Sequence, residues 1–375
     1  MELVLIPGIF LAFFLSLLVF SKQNKAVSDY CLGALFMVYG ITILLGLAEA
    51  LNRTYGYPWP GLISTSAPLI FLHGPLLWFY IKSLTVRQFR FRPVYLLHFV
   101  PFIIVLILFS INVYSLPAEQ RILSEISMDF QEEFFYPFVI AGIALSTQGY
   151  NVWGLILIRN FNRRIKSYFS SIGEIDLKWL RFLLIAAILI YAANSLLYGL
   201  NHFFELLPYG SMQISAYAIA SFYVVVLGFY GLRQGNLFVT TNVALDLEKA
   251  SEQPQAPMTL EKREEEFIHQ LLDHMKNKKP YLDTDLNVAA LASETGVSPE
   301  FLSGILNGHL NRNFFDFINS YRVEEFKRQV RNPANDKLSI IGIAWDCGFN
   351  SKATFNRVFR KATGLTPGEY RKQAF

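Results

Sequence analysis

Seven stretches of about twenty residues, at 2–20, 30–51, 62–81, 94–114, 134–158, 179–200 and 211–232, are predominantly apolar. Each has the length, roughly twenty residues, that a helix needs to cross a hydrocarbon layer ~30 Å thick. In such a layer every backbone amide must be satisfied within the segment, so an isolated apolar run of this length is expected as a helix. The charge balance agrees: 17% of the 375 residues are charged and 53% are hydrophobic, whereas a soluble domain carries about a quarter charged residues. The shortage is confined to the first two-thirds of the chain. The expected fold class is all-α, with a seven-helix transmembrane bundle at 1–232, a polar linker at 233–258 and a soluble helical domain at 259–375.

Orientation follows from the basic residues of the loops. Lys22 and Lys25 follow the first run, Lys82, Arg87, Arg90 and Arg92 the third, and Arg159, Arg163, Arg164, Lys166 and Lys178 the fifth. The alternate loops hold only Arg53 and Arg121. The odd-numbered loops are therefore expected in the cytoplasm, the N-terminus outside and the C-terminal domain inside. The first run lacks a basic leader, with Glu2 its only preceding charge, and reads as a retained span. Cys31 and Cys347 fall in different compartments of this arrangement, so no disulfide framework is expected.

Polar side chains inside the runs are costly in hydrocarbon and usually face the bundle interior. His73 precedes Gly74 and Pro75 near the middle of the third run, Gln148 and Asn151 form part of a polar waist in the fifth, and Asn194 lies in the sixth. Two readings stand: interhelical hydrogen bonds that only hold the bundle, or a pocket for an unknown signal. Glu49, His202 and Glu205 sit near the outer ends of the second and sixth runs, where interfacial water accounts for them. Catalysis is not expected. The seventh run has no lysine for a Schiff base, His73, His98 and His202 stand alone, and no run contains an aspartate, so neither a metal nor a cofactor is implied.

The soluble third carries the sharpest local pattern. Ile340, Ile343, Ala344 and Cys347 recur at helical spacing behind Ser339, Gly348 ends the helix, and Ser351 caps a second helix whose buried side carries Phe355, Phe359 and Ala362. Two short helices joined by a glycine turn form a helix-turn-helix, whose second helix can enter the DNA major groove. The outward face is expected to present Lys352, Thr354, Asn356, Arg357, Arg360 and Lys361. From Ser351 onward six basic residues stand against one acid, Glu369, the balance a phosphate backbone favours. Leu291, Ala292, Gly296, Val297 and Ser298 repeat the order of Ile343, Ala344, Gly348, Phe349 and Ser351, so two units stand in tandem. The stretch from Asn313 to about Arg331 reads as a helix connecting them. A further helix at 259–279 has an apolar stripe, for packing on the first unit or, alternatively, for a homodimer seam.

The run I-A-x-x-x-G-F followed by F-x-R-x-F-R-K-x-x-G-x-T-P-x-x-Y-R, with the upstream repeat, resembles the DNA-binding domain of AraC/XylS-type transcription regulators over about Tyr281 to Lys372. The resemblance implies a tandem helix-turn-helix DNA-binding domain, with both recognition helices in successive major grooves of promoter DNA. It assigns Ser351, Lys352, Thr354, Asn356, Arg357 and Lys361 to DNA, and Ser303 and Asn307 from the first unit. Two positions depart from the pattern. Gly304 stands where a longer polar side chain is usual, so the first unit is expected to contribute less. Gly342 lies inside a helix, at a cost of about 1 kcal/mol relative to alanine. The whole reads as a multi-pass inner-membrane regulator that senses through its bundle and binds DNA inside. The alternatives are a bundle that only anchors, or a transporter or membrane enzyme with a regulatory tail.

Overall fold

A computed structural model describes residues 2–86, 89–127, 135–172, 176–204, 208–234 and 260–374. The expected tether at 233–258 falls almost wholly outside these residues, as do Arg87, Glu205 and the side chain of His202. Among the described residues every regular element is helical, apart from an isolated antiparallel bridge between Phe169 and Asn287. The chain divides into two compact units, Met1–Arg159 with Leu177–Asn236, and Asn160–Asp176 with Leu237–Phe375. The segment Asn160–Asp176, read as a loop of the bundle, folds with the second unit.

The first unit holds α1 (Ile6–Phe20), α2 (Val27–Thr54), α3 (Ile70–Thr85), α4 (Val100–Phe109), α5 (Ala118–Ser127), most of α6 (Phe135–Ile165), α7 (Lys178–Phe204) and α8 (Tyr209–Gln234). Among the described residues, five helical stretches are long and apolar enough to cross a membrane: Leu3–Phe20, Val27–Thr54, Pro93–Tyr114, Lys178–Asn201 and Gly210–Leu232. The other two of the seven apolar runs fold as helices that do not meet that standard. With 16 residues, α3 rises only about 24 Å. In α6 the polar waist around Gln148 dilutes the apolar run. Large apolar side chains point away from this unit, among them Phe182 at 76% exposure and Leu145 at 75%. Small residues let its helices approach: a Cβ on Gly46 would lie 2.3 Å from the Tyr217 ring, and one on Gly74 2.5 Å from Tyr150.

The second unit comprises α9 (Leu260–Asn277), α10 (Val288–Glu294), α11 (Pro299–Gly308), α12 (Phe314–Val330), α13 (Ile340–Asp346), α14 (Lys352–Thr363) and α15 (Pro367–Ala374). Asn287, Ser298, Asn313, Ser339 and Ser351 each accept a bond from a backbone amide of the first turn of α10, α11, α12, α13 and α14. Such caps supply acceptors to amides that have none within the helix, at about 1 kcal/mol each. The apolar stripe of α9 is spent on packing: Phe267, Leu271 and Met275 join Leu291, Leu302, Leu306, Phe314 and Phe317 in the first core. A second core gathers Val323, Phe326, Ile343, Cys347, Phe349, Phe355 and Phe359. The connecting helix α12 contributes its first half to one core and its second half to the other.

Candidate nucleic-acid interface

The roll of α14 is fixed by aromatic contacts. Phe355 lies 4.7 Å from Phe326 and 5.0 Å from Phe349, and Phe359 lies 5.2 Å from Phe326, ring centre to ring centre. With these rings anchored, helical spacing turns Lys352, Ala353, Asn356, Arg357, Arg360 and Lys361 outward, and all six are exposed. Lys361 reaches Asp316 at 3.4 Å across the surface, an exposed pair worth little. The Ser351 hydroxyl accepts from the Thr354 amide at 3.4 Å and so caps the helix.

Thr354 is a correction. Expected on the outward face, it is 3% exposed, and its hydroxyl finds no hydrogen-bond partner. The position is one residue from Phe355, and the arc that packs against the core is wide enough to include it. Arg371, counted among the basic residues available to phosphate, is engaged elsewhere: its guanidinium donates to the carbonyls of Leu338 and Asp336 at 2.7 and 2.6 Å.

In the first unit, Asn307 is exposed and Ser303 half-buried on α11. They bond to each other, Asn307 Nδ2 donating to the Ser303 carbonyl at 2.8 Å and to its hydroxyl at 3.2 Å. Between them Gly304 is exposed, with nothing within 4 Å of where a Cβ would stand. The same face of α11 carries the exposed Glu300 one turn before Ser303 and Gly304, and no basic residue.

Behind both units lies a polar network that the sequence reading missed. Arg322 is 1% exposed, and donates to the Tyr281 carbonyl at 2.7 Å and the Asp283 carbonyl at 2.6 Å. Burial pushes its guanidinium down to about 10, against the opposing charges of Asp283 and Asp285, so it stays charged at neutral pH. Glu325, one turn on, accepts from Gln329 Nε2 at 3.0 Å, Arg328 Nε at 3.2 Å and Lys279 Nζ at 3.4 Å. Burial works to raise its carboxyl, but the bonds from Arg328 and Gln329 and the charge of Lys279 bring it down to about 2. A depressed carboxyl stabilises the fold above the unfolded value of about 4.3 and loses that contribution as pH falls toward 2. Glu325→Gln should therefore lower stability at pH 7 while narrowing its deficit from wild type as pH drops through 4. Thermal unfolding of both proteins across that range reads the convergence, and parallel curves would refute it. Arg322, Glu325 and the buried Asn319 share the inward face of α12 at helical spacing with Phe315, Ile318 and Phe326, which is the signal that could have found them.

Of the four polar residues expected to recognise a signal, three have separate partners. The His73 ring is stacked on Tyr39 at 4.0 Å between centres, with Nε2 3.1 Å from the Thr42 hydroxyl. Gln148 donates to the Ile188 carbonyl at 3.1 Å, and Asn194 to its own helix at Ile190, at 3.4 Å. Asn151 is buried, and its Oδ1 has no partner. Glu49, expected in interfacial water, is instead 5% exposed and accepts from Ser66 N, Ser66 Oγ, Gln213 Nε2 and Thr65 Oγ1 at 2.7, 2.9, 2.9 and 3.2 Å. Next to it Arg53 pairs with Glu125 at 2.6 Å.

A profile of the helix-turn-helix domain family matches residues 291–373. Regulatory protein SoxS of Escherichia coli (strain K12) is 30% identical over 91 residues, 24% of this chain and 82% of SoxS. The HTH-type transcriptional regulator GlxA of Rhizobium meliloti (strain 1021) is 29% identical over 104 residues, 28% of this chain and 31% of GlxA. The arabinose operon regulatory protein of E. coli (strain K12) is 25% identical over 125 residues, 33% of this chain and 39% of that protein. The chain thus spans well under half the length of the last two. No solved structure matches the chain.

Proposed function

Because the chain belongs to the AraC/XylS-type transcription regulators, we propose that it is a membrane-bound one-component regulator whose C-terminal unit reads promoter DNA and whose apolar unit spans the bacterial inner membrane and receives the signal. The observation that carries this reading is the co-occurrence, in one chain, of five membrane-length apolar helices with a helix-turn-helix pair whose α14 presents Lys352, Asn356, Arg357 and Lys361 to solvent. Neither half explains the other unless one reports to the other. The bundle crosses seven times, N-terminus outside and the reading unit in the cytoplasm. The folding of Asn160–Asp176 within the reading unit supports that topology, since the basic residues of this segment put it on the cytoplasmic side independently.

Polar groups held within the apolar helices, His73, Gln148, Asn151 and Asn194, are the residues through which a signal is recognised, and the unsatisfied Asn151 Oδ1 supports a ligand there. A signal shifts DNA binding only through unequal affinity for two states, and pairing of two chains on adjacent half-sites supplies such states without release of the reading unit.

Topology decides the reading. A reporter active only outside the cytoplasm should work when fused after Glu125 and stay silent when fused after Lys166 or Gln234. Activity at Gln234 would place the reading unit on the side without DNA and end the proposal.

A further inference from the structure

The two helix-turn-helix units have separate cores, one built on Phe314, Phe317 and Ile318 of α12 and the other on Val323, Phe326 and Val330. What sets the angle between them is α12 itself and whatever spans them. Residues 160–172 do so, with bonds to all three parts. To the first unit, Val288 N donates to the Tyr168 carbonyl at 2.9 Å, Ser170 Oγ donates to the Leu286 carbonyl at 2.6 Å, and Phe169 bridges Asn287. To α12, the Phe315 amide, which lacks a partner in its own first turn, donates to the Lys166 carbonyl at 2.9 Å. Asn319 Nδ2 donates to the Ser170 carbonyl at 2.9 Å, and Arg322 Nη2 to the Ser170 hydroxyl at 3.1 Å. To the second unit, the Ser171 hydroxyl donates to the Asn350 side chain, directly before the cap of α14. A third apolar cluster fills the space between, with Ile165, Ile172 and Phe315 buried against Phe161, Phe169 and Val358 of α14.

We propose that residues 160–172 are a positioning element of the DNA-reading unit, a brace that holds α11 and α14 at the separation and angle that fit two successive major grooves. This rests on the DNA-reading function proposed above. Recognition elements on one face of B-DNA must sit about 34 Å apart, so a pair whose angle is not held can meet either groove but not both at once. The brace begins in α6 and returns to α7, and no other described segment outside 260–374 folds with this unit. Specificity for spacing thus comes from a part of the chain that a fragment beginning near Leu260 lacks.

The test uses the full chain in detergent micelles and a randomised duplex pool, from which wild type should select a two-part sequence. Affinity is then measured for that sequence, for versions with one base pair added or removed between its halves, and for the half read by α14 alone. Wild type should lose at least tenfold on either change of spacing. The double variant Ser170→Ala, Ile172→Ala should bind the selected sequence at least tenfold more weakly, lose less than threefold further on a spacing change, and bind the single half as wild type does. Ile172→Val should behave as wild type. A double variant that keeps the spacing preference overturns the brace, and so does one that also loses the single half, because the segment then only maintains the fold. A wild-type chain that selects no sequence overturns the DNA-reading premise and the brace with it.

Discussion

Replacing Arg322 with alanine is expected to destabilise the reading unit by about 1–3 kcal/mol for each buried acceptor it leaves without a donor. The guanidinium satisfies the carbonyls of Tyr281 and Asp283, the hydroxyl of Ser170 and, at 3.4 Å, the Ser170 carbonyl. Truncation leaves the buried Tyr281 carbonyl without its donor and the Ser170 hydroxyl without one of its bonds, whereas the Ser170 carbonyl keeps the Asn319 amide and the Asp283 carbonyl keeps Leu286 N. It also removes the side chain against which the Gly348 turn packs, where Arg322 Nε comes within 2.9 Å of the glycine's missing Cβ. Lysine should not rescue the site, since one ammonium cannot reproduce a planar fork aimed at three residues. Hydrogen exchange of the intact protein, followed over α12 and α13, is the measurement. Protection there should fall sharply in Arg322→Ala and Arg322→Lys, while the helices of the apolar unit keep theirs. Wild-type exchange in α12 would show that the network is incidental.

What the sequence made legible was local. The two turns could be read because each is written in consecutive residues, an apolar pair, a glycine and a serine cap, and Gly296 and Gly348 do adopt the left-handed backbone that only glycine accepts easily. The connecting helix and the packing of α9 followed from helical periodicity for the same reason. Thr354 was misplaced because the buried side was drawn from Phe355, Phe359 and Ala362, whereas Ala362 is exposed and Val358, one turn on from Thr354, is half-buried and widens the packed side. Glu49 was assigned to interfacial water from its depth in the second apolar run. Its acceptance of four bonds depends on Ser66, Thr65 and Gln213, brought in by other parts of the fold. The brace was invisible on the same ground. Ser170 lies 149 residues from Asn319 and 152 from Arg322, and a polar loop offers no periodicity to announce its partner. The apolar runs were legible as helices, but α3 begins only at Ile70, well inside its run, and α6 is diluted by the Gln148 waist, which a count of apolar runs does not weigh.

Within α14, burial separates the residues that can touch DNA from those that cannot, and the separation yields the largest expected functional effect. Arg357→Ala and Lys352→Ala should each weaken DNA binding by the full chain, because Arg357 is exposed on the face opposite Phe355 and Phe359 and Lys352 is exposed at the first residue of the helix. A base contact is worth about 1–3 kcal/mol at one position of the site, roughly five- to more than a hundredfold, whereas a phosphate contact weakens all sequences alike and lowers the salt slope by about one. Arg357, in the second turn, offers the planar fork that reads guanine from the major groove, and is expected to show the first pattern. Lys352 stands at the first residue of the helix, beside its Ser351 cap, and is expected to show the second. Thr354→Val supplies the contrast: the hydroxyl is buried without a partner, so its removal should leave affinity and sequence preference as they were. Titrations at several salt concentrations, against the selected sequence and single-base variants of it, separate the three cases. Equal affinity for Arg357→Ala, Lys352→Ala and wild type, with the fold intact by circular dichroism, would remove α14 from the interface. A large loss in Thr354→Val would mean that the helix rolls on meeting DNA, and that the phenylalanine anchors do not fix its face.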